Sequence, residues 1–222
     1  MLAGEAAVAI WNGVTPEGRA EFYAWHLHEH MAERVGIPGF RRGRRFIALD
    51  GMTRPEFFTL YEADTMQVLQ GQDYANRLNA PSAWTKRATQ GFRDTSRGLA
   101  RVVASHGVGP GGVMLTLRFD APPSAIPAVS ALVAQAATAA RVTGAHLLIT
   151  DDAASNEDSA EKRGRNDITP PPAWIILAEA TDAEALAPLF PEAALRAAGA
   201  LAAPLRGTYR LEFMRLKTSW GT

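Results

Sequence analysis

The chain has 222 residues and a mass of 23.9 kDa, which suits one large domain or two small ones. Lysine plus arginine and aspartate plus glutamate each number 23, so the net charge is zero. This balance argues against a nucleic-acid binder and against electrostatic attachment to a membrane. The absence of cysteine excludes disulfides, thiolate nucleophiles and iron–sulfur clusters. The sequence shows no basic leader and no apolar run of roughly 20 residues, so we expect a soluble cytoplasmic protein.

The first half of the chain alternates strand and helix patterns. An apolar run over residues 6–11 predicts a buried strand. Thr15 and Pro16 predict the start of a helix, which can continue to Val35 before Gly36 ends it. Further along we expect strands over 40–50 and 56–62, a helix from Asp64 or Thr65 to Leu78, a loop with Pro81 and Trp84, and a strand over 99–104. The order of elements is therefore β-α-β-β-α-β.

The same order returns after a glycine-rich break. The sequence GVGPGG over 107–112 predicts a boundary between a first unit, residues 1–107, and a second unit, residues 108–222. The second unit's predicted strands cover 113–119, 142–150, 174–179 and 208–216, and its helices cover 124–140 and 182–201. We therefore predict an α+β fold of tandem duplicated ferredoxin-like units whose antiparallel sheets pack face to face. The sheets could pair within one chain or across a dimer.

One connection in the second unit is unusually long. Residues 151–172 contain a polar run from Ser155 to Asn166 and end in Thr169-Pro-Pro-Pro172, with no visible periodicity. Such a segment buries too little apolar surface to order itself, so we predict a flexible hairpin loop. The alternative is a lid or an arm that reaches a second chain.

Three of the five histidines lie in the sequence Trp25-His-Leu-His-Glu-His30 of the first predicted helix. His26 and His30 are four residues apart and share a face beside the core stripe, whereas His28 points elsewhere. The pair could bind a metal with a third ligand, could transfer protons or bind substrate, or could be an ordinary polar flank. The full HExxH pattern is absent, so we assign no metal here. We also expect no organic cofactor. Glu29 lies about a quarter turn away, where it could orient a substrate.

Four arginines crowd the next strand, in the sequence Phe40-Arg-Arg-Gly-Arg-Arg-Phe46. Alternation along a strand directs Arg42 and Arg44 to one face and Arg41 and Arg45 to the other. They could be strand charges in ion pairs with nearby glutamates. The sharper interpretation is an arginine in a cleft that binds a carboxylate or enolate oxygen.

Aromatic side chains could form the wall of a pocket beside these groups. Phe22 and Trp25 flank the histidines, Asn12 ends the first strand and Trp84 precedes the fourth. Trp84 could equally be a packing anchor, and Asn12 a turn residue. The alanine-rich helix over 124–140 carries no histidine, aspartate or glutamate, so we expect one site per chain, in the first unit.

A set of spaced motifs resembles the dimeric α/β-barrel superfamily. They are Trp11-Asn12, Phe22-x-x-Trp25-His26-x-x-Glu29-His30-x-x-Glu33-Arg34, Pro38-Gly39-Phe40, Arg44-Arg45-Phe46, Leu60-Tyr61-Glu62 and Pro81-x-x-Trp84-Thr85. The likeness covers roughly residues 8–95 and is nearest to EthD-like proteins and related bacterial proteins. It implies sheets that pair into a barrel, a homodimer, and a small-molecule ligand held between helices and sheet. The superfamily includes cofactor-free monooxygenases, muconolactone-type isomerases and haem-binding proteins.

Two functions follow from these observations. The first is a small-molecule enzyme with cofactor-independent proton-transfer or oxygenation chemistry on a small aromatic or carbonyl compound. The residues assigned to it are His26, His30, Glu29, Arg34 and Arg44 for catalysis, and Asn12, Phe22, Trp25 and Trp84 for substrate binding. The second is a non-catalytic ligand-binding or structural dimer in which the same residues form an ion-pair network. The local concentration of titratable groups favours the enzyme.

Overall fold

The computed structural model describes residues 1–165 and 167–218, and its helices and strands follow the predicted order twice. The strands are β1 (Ala6–Val14), β2 (Phe40–Ala48), β3 (Phe57–Ala63), β4 (Phe92–Gly107), β5 (Val113–Phe119), β6 (Val142–Thr150), β7 (Ile168–Thr169), β8 (Trp174–Ala180) and β9 (Leu205–Leu216). The helices are α1 (Arg19–Trp25), α2 (Met31–Gly36), α3 (Met66–Leu69), α4 (Gln72–Asn79), α5 (Ala83–Ala88), α6 (Ile126–Ala136), α7 (Asp152–Asn156), α8 (Ala160–Arg163), α9 (Ala183–Leu186) and α10 (Glu192–Ala197). A π-helical turn, His26–His30, joins α1 to α2. None of the helices described is long and apolar enough to cross a bilayer.

Eight strands close into one antiparallel barrel, in the order β1-β3-β2-β9-β5-β8-β6-β4, with β4 returning to pair with β1. The first unit contributes β4-β1-β3-β2 and the second contributes β9-β5-β8-β6, which is the same arrangement of four strands. The predicted fold of two ferredoxin-like units forming an α/β barrel is confirmed, and the two sheets pair within one chain. The short strand β7 lies outside the barrel and pairs in parallel with β4.

The last strand of each unit is longer than its sequence pattern predicted. β4 begins at Phe92 rather than at residue 99; it pairs first with β1 and then, from Ala100 onward, with β6 of the other unit. Likewise β9 begins at Leu205 and pairs first with β5 and then with β2. The polar start of β4 hides the strand pattern, because its pairing comes from distant parts of the chain rather than from local alternation.

Several helix boundaries also differ from the prediction. The first helix begins at Arg19, because Thr15 caps a preceding turn and its hydroxyl accepts a hydrogen bond from the Gly18 amide at 3.2 Å. The helix predicted from residue 64 to 78 is divided into α3 and α4 at Gly71. The expected loop around Trp84 contains α5. In the second unit, the helix predicted over 182–201 is two short helices, as the prolines there suggest, and α6 ends earlier than predicted.

The long connection over residues 151–172 differs most from the expectation of an irregular hairpin loop. It contains α7, α8 and β7 and lies against the first unit. Asp151 and Ser159 cap the two helices, accepting hydrogen bonds from the amides of Ala154 and Lys162. The Ser155 hydroxyl accepts from the Leu99 amide of β4 at 2.9 Å. The polar residues of this segment therefore act as caps and cross-links, an order that composition alone does not reveal.

The barrel interior holds an apolar middle and a charged end. Both units supply the apolar part, including Trp11, Phe58, Ile175 and Tyr209. At the charged end, Arg44 is fully buried and bridges two carboxylates, one from each unit. Its guanidinium donates to Glu62 Oε1 at 3.1 Å and to Glu179 Oε2 at 2.6 Å, and Arg42 binds Glu62 through two further hydrogen bonds at 2.7–2.8 Å. This network ties the two sheets together inside the barrel.

We predict that Arg44→Ala destabilises the protein by about 3–5 kcal/mol, because it leaves two buried carboxylates short of their counter-charge. Chemical denaturation measures this loss. The matched control is Arg41→Ala, on the same strand, which removes an exposed arginine paired with Asp64 and should cost far less stability. Equal losses in the two variants would contradict the bridging role of Arg44.

Glu179 also makes stability depend on pH. Burial opposes its ionisation, but hydrogen bonds and charge from His146, Arg44 and the Gly111 amide lower the pKa of Glu179 from 4.5 to about 2. A pKa depressed in the folded state stabilises the protein above pH 4.5, and this contribution of about 3 kcal/mol is lost as the pH falls towards 2. We expect Glu179→Gln to flatten the stability profile in that interval. Glu184→Gln, at an exposed site, should leave the slope unchanged, and a wild-type slope in Glu179→Gln would refute this assignment.

Candidate functional site

The two faces of the first unit's sheet carry different polar groups. On β2, Phe46 packs in the barrel interior, and alternation places Arg44 on that same side. Arg45 points to the opposite face, where it meets the helix that carries His26. The structure therefore places Arg44, which the sequence analysis assigned to catalysis, between Glu62 and Glu179 and not beside the histidines. Arg45 occupies the position beside the histidines instead.

The histidine pair lies on the π-helical turn between α1 and α2. The Met31 amide donates to the His26 carbonyl, five residues back, which makes this turn wider than an α-helical one. His26 and His30 are each only 3% exposed, and their ring centroids are 5.6 Å apart. The Trp25 ring packs on His30 with centroids 4.2 Å apart. His28 is exposed, as predicted.

Arg45 fixes the protonation state of His26. Its Nη1 lies 3.4 Å from His26 Nδ1, and because a guanidinium can only donate, Nδ1 must be the acceptor and the ring proton must sit on Nε2. Burial and the charges of Arg45 and Arg34 hold the pKa of His26 well below its usual value. Burial, Arg34 and His26 do the same to the pKa of His30. Both imidazoles are therefore neutral at neutral pH.

Unpartnered polar atoms gather next to His30. Within the described part of the chain, the buried Nδ1 of His30, Nη1 of Arg34 and hydroxyl of Tyr61 have no hydrogen-bond partner. The His30 and Tyr61 ring centroids are 6.2 Å apart, and Arg34 is four residues after His30 on the same helical segment. Burial raises the pKa of Tyr61, so its hydroxyl keeps its proton. Because buried polar groups are rarely left unpaired, this cluster is a candidate binding site for a polar group.

The long connection of the second unit covers this cluster. Glu161 of α8 is 5% exposed and contacts Arg34 directly. Its other oxygen accepts from Arg165 Nη2 at 2.6 Å. Burial opposes ionisation of this carboxyl, but Arg34, Arg165 and Arg97 hold the pKa of Glu161 below its usual value. The Glu161 carboxylate is thus the shared counter-ion of two buried guanidiniums.

A cavity of about 480 Å³ lies on the outer side of this ion-pair cluster. Glu161, Arg165, Arg97 and Thr95 contribute its polar wall, and the prolines of the long connection add an apolar one. Its volume falls within the range of small-molecule sites. The histidines do not line it, because Glu161 and Arg165 stand between the cavity and Arg34.

The other predicted site residues have structural partners near the cluster. Glu29 accepts hydrogen bonds from the hydroxyls of Ser82 at 2.6 Å and Thr85 at 3.1 Å. Phe22 packs against His26, with ring centroids 5.3 Å apart. Trp84 packs at the edge of the aromatic cluster that contains Phe22.

Asn12 is 2% exposed, and its side-chain amide donates to the Gly13 carbonyl. It lies on β1 opposite Phe57 of β3, a neighbour of Phe22. No contact between Asn12 and the histidines is recorded among the described residues. Its position is that of a strand-end residue beside the aromatic cluster.

Sequence reasoning missed four important residues of this cluster: Tyr61, Arg45, Glu161 and Arg165. Tyr61 and Arg45 belong to the sequence motifs on which the resemblance rests. Those motifs do not indicate which residues the two side chains contact. Glu161 and Arg165 lie in the polar run of the long connection, where no pattern separates a buried ion pair from solvated charges. Nothing in the local sequence signals the wider π-helical turn.

The histidine pair could bind a metal with a third ligand, and the superfamily that the sequence resembles includes haem-binding proteins. Among residues 1–165 and 167–218, no three histidine or acidic side chains meet in a way that could hold a metal ion. His30 is packed between Trp25, His26 and Tyr61 and lines neither the 480 Å³ cavity nor the barrel-end cavity described below. The surroundings of His30 therefore do not fit a haem.

Comparison with known proteins identifies relatives by structure alone. No protein-family model and no curated protein sequence matches the chain. An anthrone oxidase-like protein matches with a TM-score of 0.59 and 13% identity, covering 95% of this chain and 92% of that one. A candidate monooxygenase from Lactobacillus acidophilus NCFM matches with a TM-score of 0.56 and 8% identity, covering 96% of both chains. A variant of the chlorite dismutase from Candidatus Nitrospira defluvii matches with a TM-score of 0.52 and 10% identity, covering 94% of this chain and 92% of that one. The chain therefore shares the fold of these proteins, in which ferredoxin-like units form an α+β barrel.

Proposed function

We propose that the chain is an enzyme that removes a proton from a small aromatic or carbonyl compound without an organic cofactor. The observation that carries this proposal is the group of unpartnered buried atoms on His30, Arg34 and Tyr61, next to two neutral imidazoles. A neutral imidazole can accept a proton, while a guanidinium and a protonated phenol can stabilise the oxyanion that forms. These are the complementary groups that an enolisation or phenol deprotonation needs.

In the proposed step, His30 Nδ1 accepts the proton, and Arg34 Nη1 and the Tyr61 hydroxyl donate hydrogen bonds to the developing oxyanion. The likeness to an anthrone oxidase-like protein suggests a substrate with an acidic ring methylene. The resulting carbanion would then react with dioxygen directly. Conversion of such a methylene to a carbonyl consumes one O₂ and releases one water. Trp25 and Phe22 would shield the cluster from solvent.

The long connection over residues 151–172, which covers the cluster, must move for this chemistry to occur. A substrate in the 480 Å³ cavity faces Glu161 and Arg165, and Glu161 contacts Arg34. An oxyanion on the free Nη1 of Arg34 would therefore compete with the Glu161 carboxylate, which binds Nη2, for the charge of this guanidinium. Glu161 would act as an internal anion that offsets part of the charge of Arg34 and Arg165 before substrate enters.

Two finer assignments belong to the same proposal. The motif from His26 to Arg34 supports placement among EthD-like proteins. A homodimer would pair surfaces outside the barrel, because the barrel closes within one chain.

The competing function, a ligand-binding or structural protein, is supported by the satisfied ion pairs around Glu161 and Glu62. It gives no account of the unpartnered atoms next to His30.

The proton-transfer step can be tested without knowing the natural substrate. In D₂O, we expect the wild-type protein to accelerate exchange of the ring-methylene protons of anthrone or the central protons of a 1,3-diketone, followed by NMR. His30→Gln should slow this exchange by about 100-fold or more, because the base is lost. His28→Gln, on the same helical turn but exposed, is the matched control and should retain the wild-type rate. Absence of exchange with the wild type, or an unchanged rate in His30→Gln, would contradict the proposal.

Glu161→Gln tests whether this carboxylate competes with an anionic ligand. We expect the variant to bind 4-nitrophenolate roughly tenfold more tightly, because no carboxylate then occupies Arg34. Its melting temperature should fall, since Arg34 and Arg165 lose their shared counter-ion. Glu157→Gln, exposed in the same segment, should change neither quantity. Calorimetric titration measures the affinity for 4-nitrophenolate, and thermal unfolding measures the melting temperature. Weaker binding by Glu161→Gln would rule out competition.

A further inference from the structure

A second cavity opens at one end of the barrel. It has a volume of about 550 Å³ and lies where β5 ends and β9 begins, between the β2–β3 turn and the prolines that precede β8. Phe119, Leu205 and Pro171 contribute apolar wall. Arg118 is the side chain that reaches into it from the barrel interior, where its guanidinium lies 5.0 Å from the centre of the Trp11 ring.

Arg118 is a cation without a counter-charge. Its Nη2 donates to the backbone carbonyl of Arg54 at 2.9 Å, while its buried Nε has no hydrogen-bond partner within the described residues. It forms no ion pair with any carboxylate of the described chain, in contrast to Arg42, Arg44 and Arg45 of β2. Burial lowers the pKa of Arg118, and only the weak influence of Tyr209 opposes this effect.

The acids near this cavity do not compensate the charge. Asp94 and Asp120 line its rim, but both are exposed and neither pairs with Arg118. An uncompensated charge that is partly removed from water is costly, and a bound anion offsets that cost. Two rim carboxylates disfavour a highly charged anion, and the apolar wall favours an organic body.

We propose that this barrel-end cavity binds a small organic monoanion, with its carboxylate on Arg118 and its apolar or aromatic body against Phe119, Leu205 and Pro171. The carboxylate would accept from the guanidinium of Arg118 where it lines the cavity, and the Trp11 ring stacks beneath the guanidinium and holds it in place. This site lies on the inner face of the sheet, whereas His26 and His30 lie on the outer face. The two sites share only the wall formed by residues 169–171.

Titration of the full chain with benzoate, followed by NMR, tests the site. We expect saturable binding to the wild type, at least tenfold weaker binding of the uncharged isostere benzamide, and at least tenfold weaker binding of benzoate to Arg118→Gln. Glutamine keeps a polar but uncharged side chain at this partly buried position, and circular dichroism verifies that the variant keeps the fold. Arg210→Gln removes an exposed arginine of β9 outside the cavity, matches the change in net charge, and should bind like the wild type.

Asp120→Asn provides a second test that does not depend on the folding of Arg118→Gln. Removing this exposed rim carboxylate should tighten benzoate binding two- to threefold, because less repulsion acts on the anion. Absence of saturable benzoate binding, equal binding of benzamide, or unchanged affinity in Arg118→Gln would each overturn the proposal. Unchanged or weaker binding to Asp120→Asn would do the same.

Discussion

The architecture depends on two strands that each serve two sheets. β4 leaves β1 to pair with β6, and β9 leaves β5 to pair with β2, so the barrel closes only because each unit lends its last strand to the other. Closure leaves none of the eight barrel strands with a free edge and turns one face of each strand into the barrel, while helices cover much of the other face. Polar groups on either face are then removed from water and must find partners or bind a ligand.

Because side chains alternate between the two faces of β2, two adjacent arginines belong to two different polar networks. Arg44 points inward and joins carboxylates of both units, whereas Arg45 points outward and holds His26 in one neutral tautomer. The strand that links the two sheets therefore also sets the electrostatics of the candidate site. A shift of one residue in its register would exchange these roles, so the pairing of β2 with β3 and β9 positions both networks together.

Much of the fold was predictable, because it rests on local periodicity and on a repeated order of elements. The strands around Val8, Leu115 and Ile176 are mostly apolar, and their bounds were nearly correct. The site was predictable only where it lies on one helix, as with His26, His30 and Arg34. Tyr61, Arg45 and Glu161 reach it from three other elements. Their contacts depend on the register in which the strands pair and on where the long connection turns back onto the first unit. Glu161 is the extreme case, because its neighbour in space is Arg34, 127 positions earlier in the chain.

The unequal lengths of two equivalent connections have a consequence for stoichiometry. The turn between β2 and β3 is short and helps to form the barrel end, whereas the corresponding connection between β6 and β8 is long and crosses onto the first unit. The internal two-fold repeat is therefore broken, because only the first unit has both a polar helix and a cover. The second unit has neither of these, and its alanine-rich α6 presents an apolar face. Within the described residues, the candidate outer-face site thus occurs once per chain, so binding of the proposed substrate there would saturate at one molecule per chain.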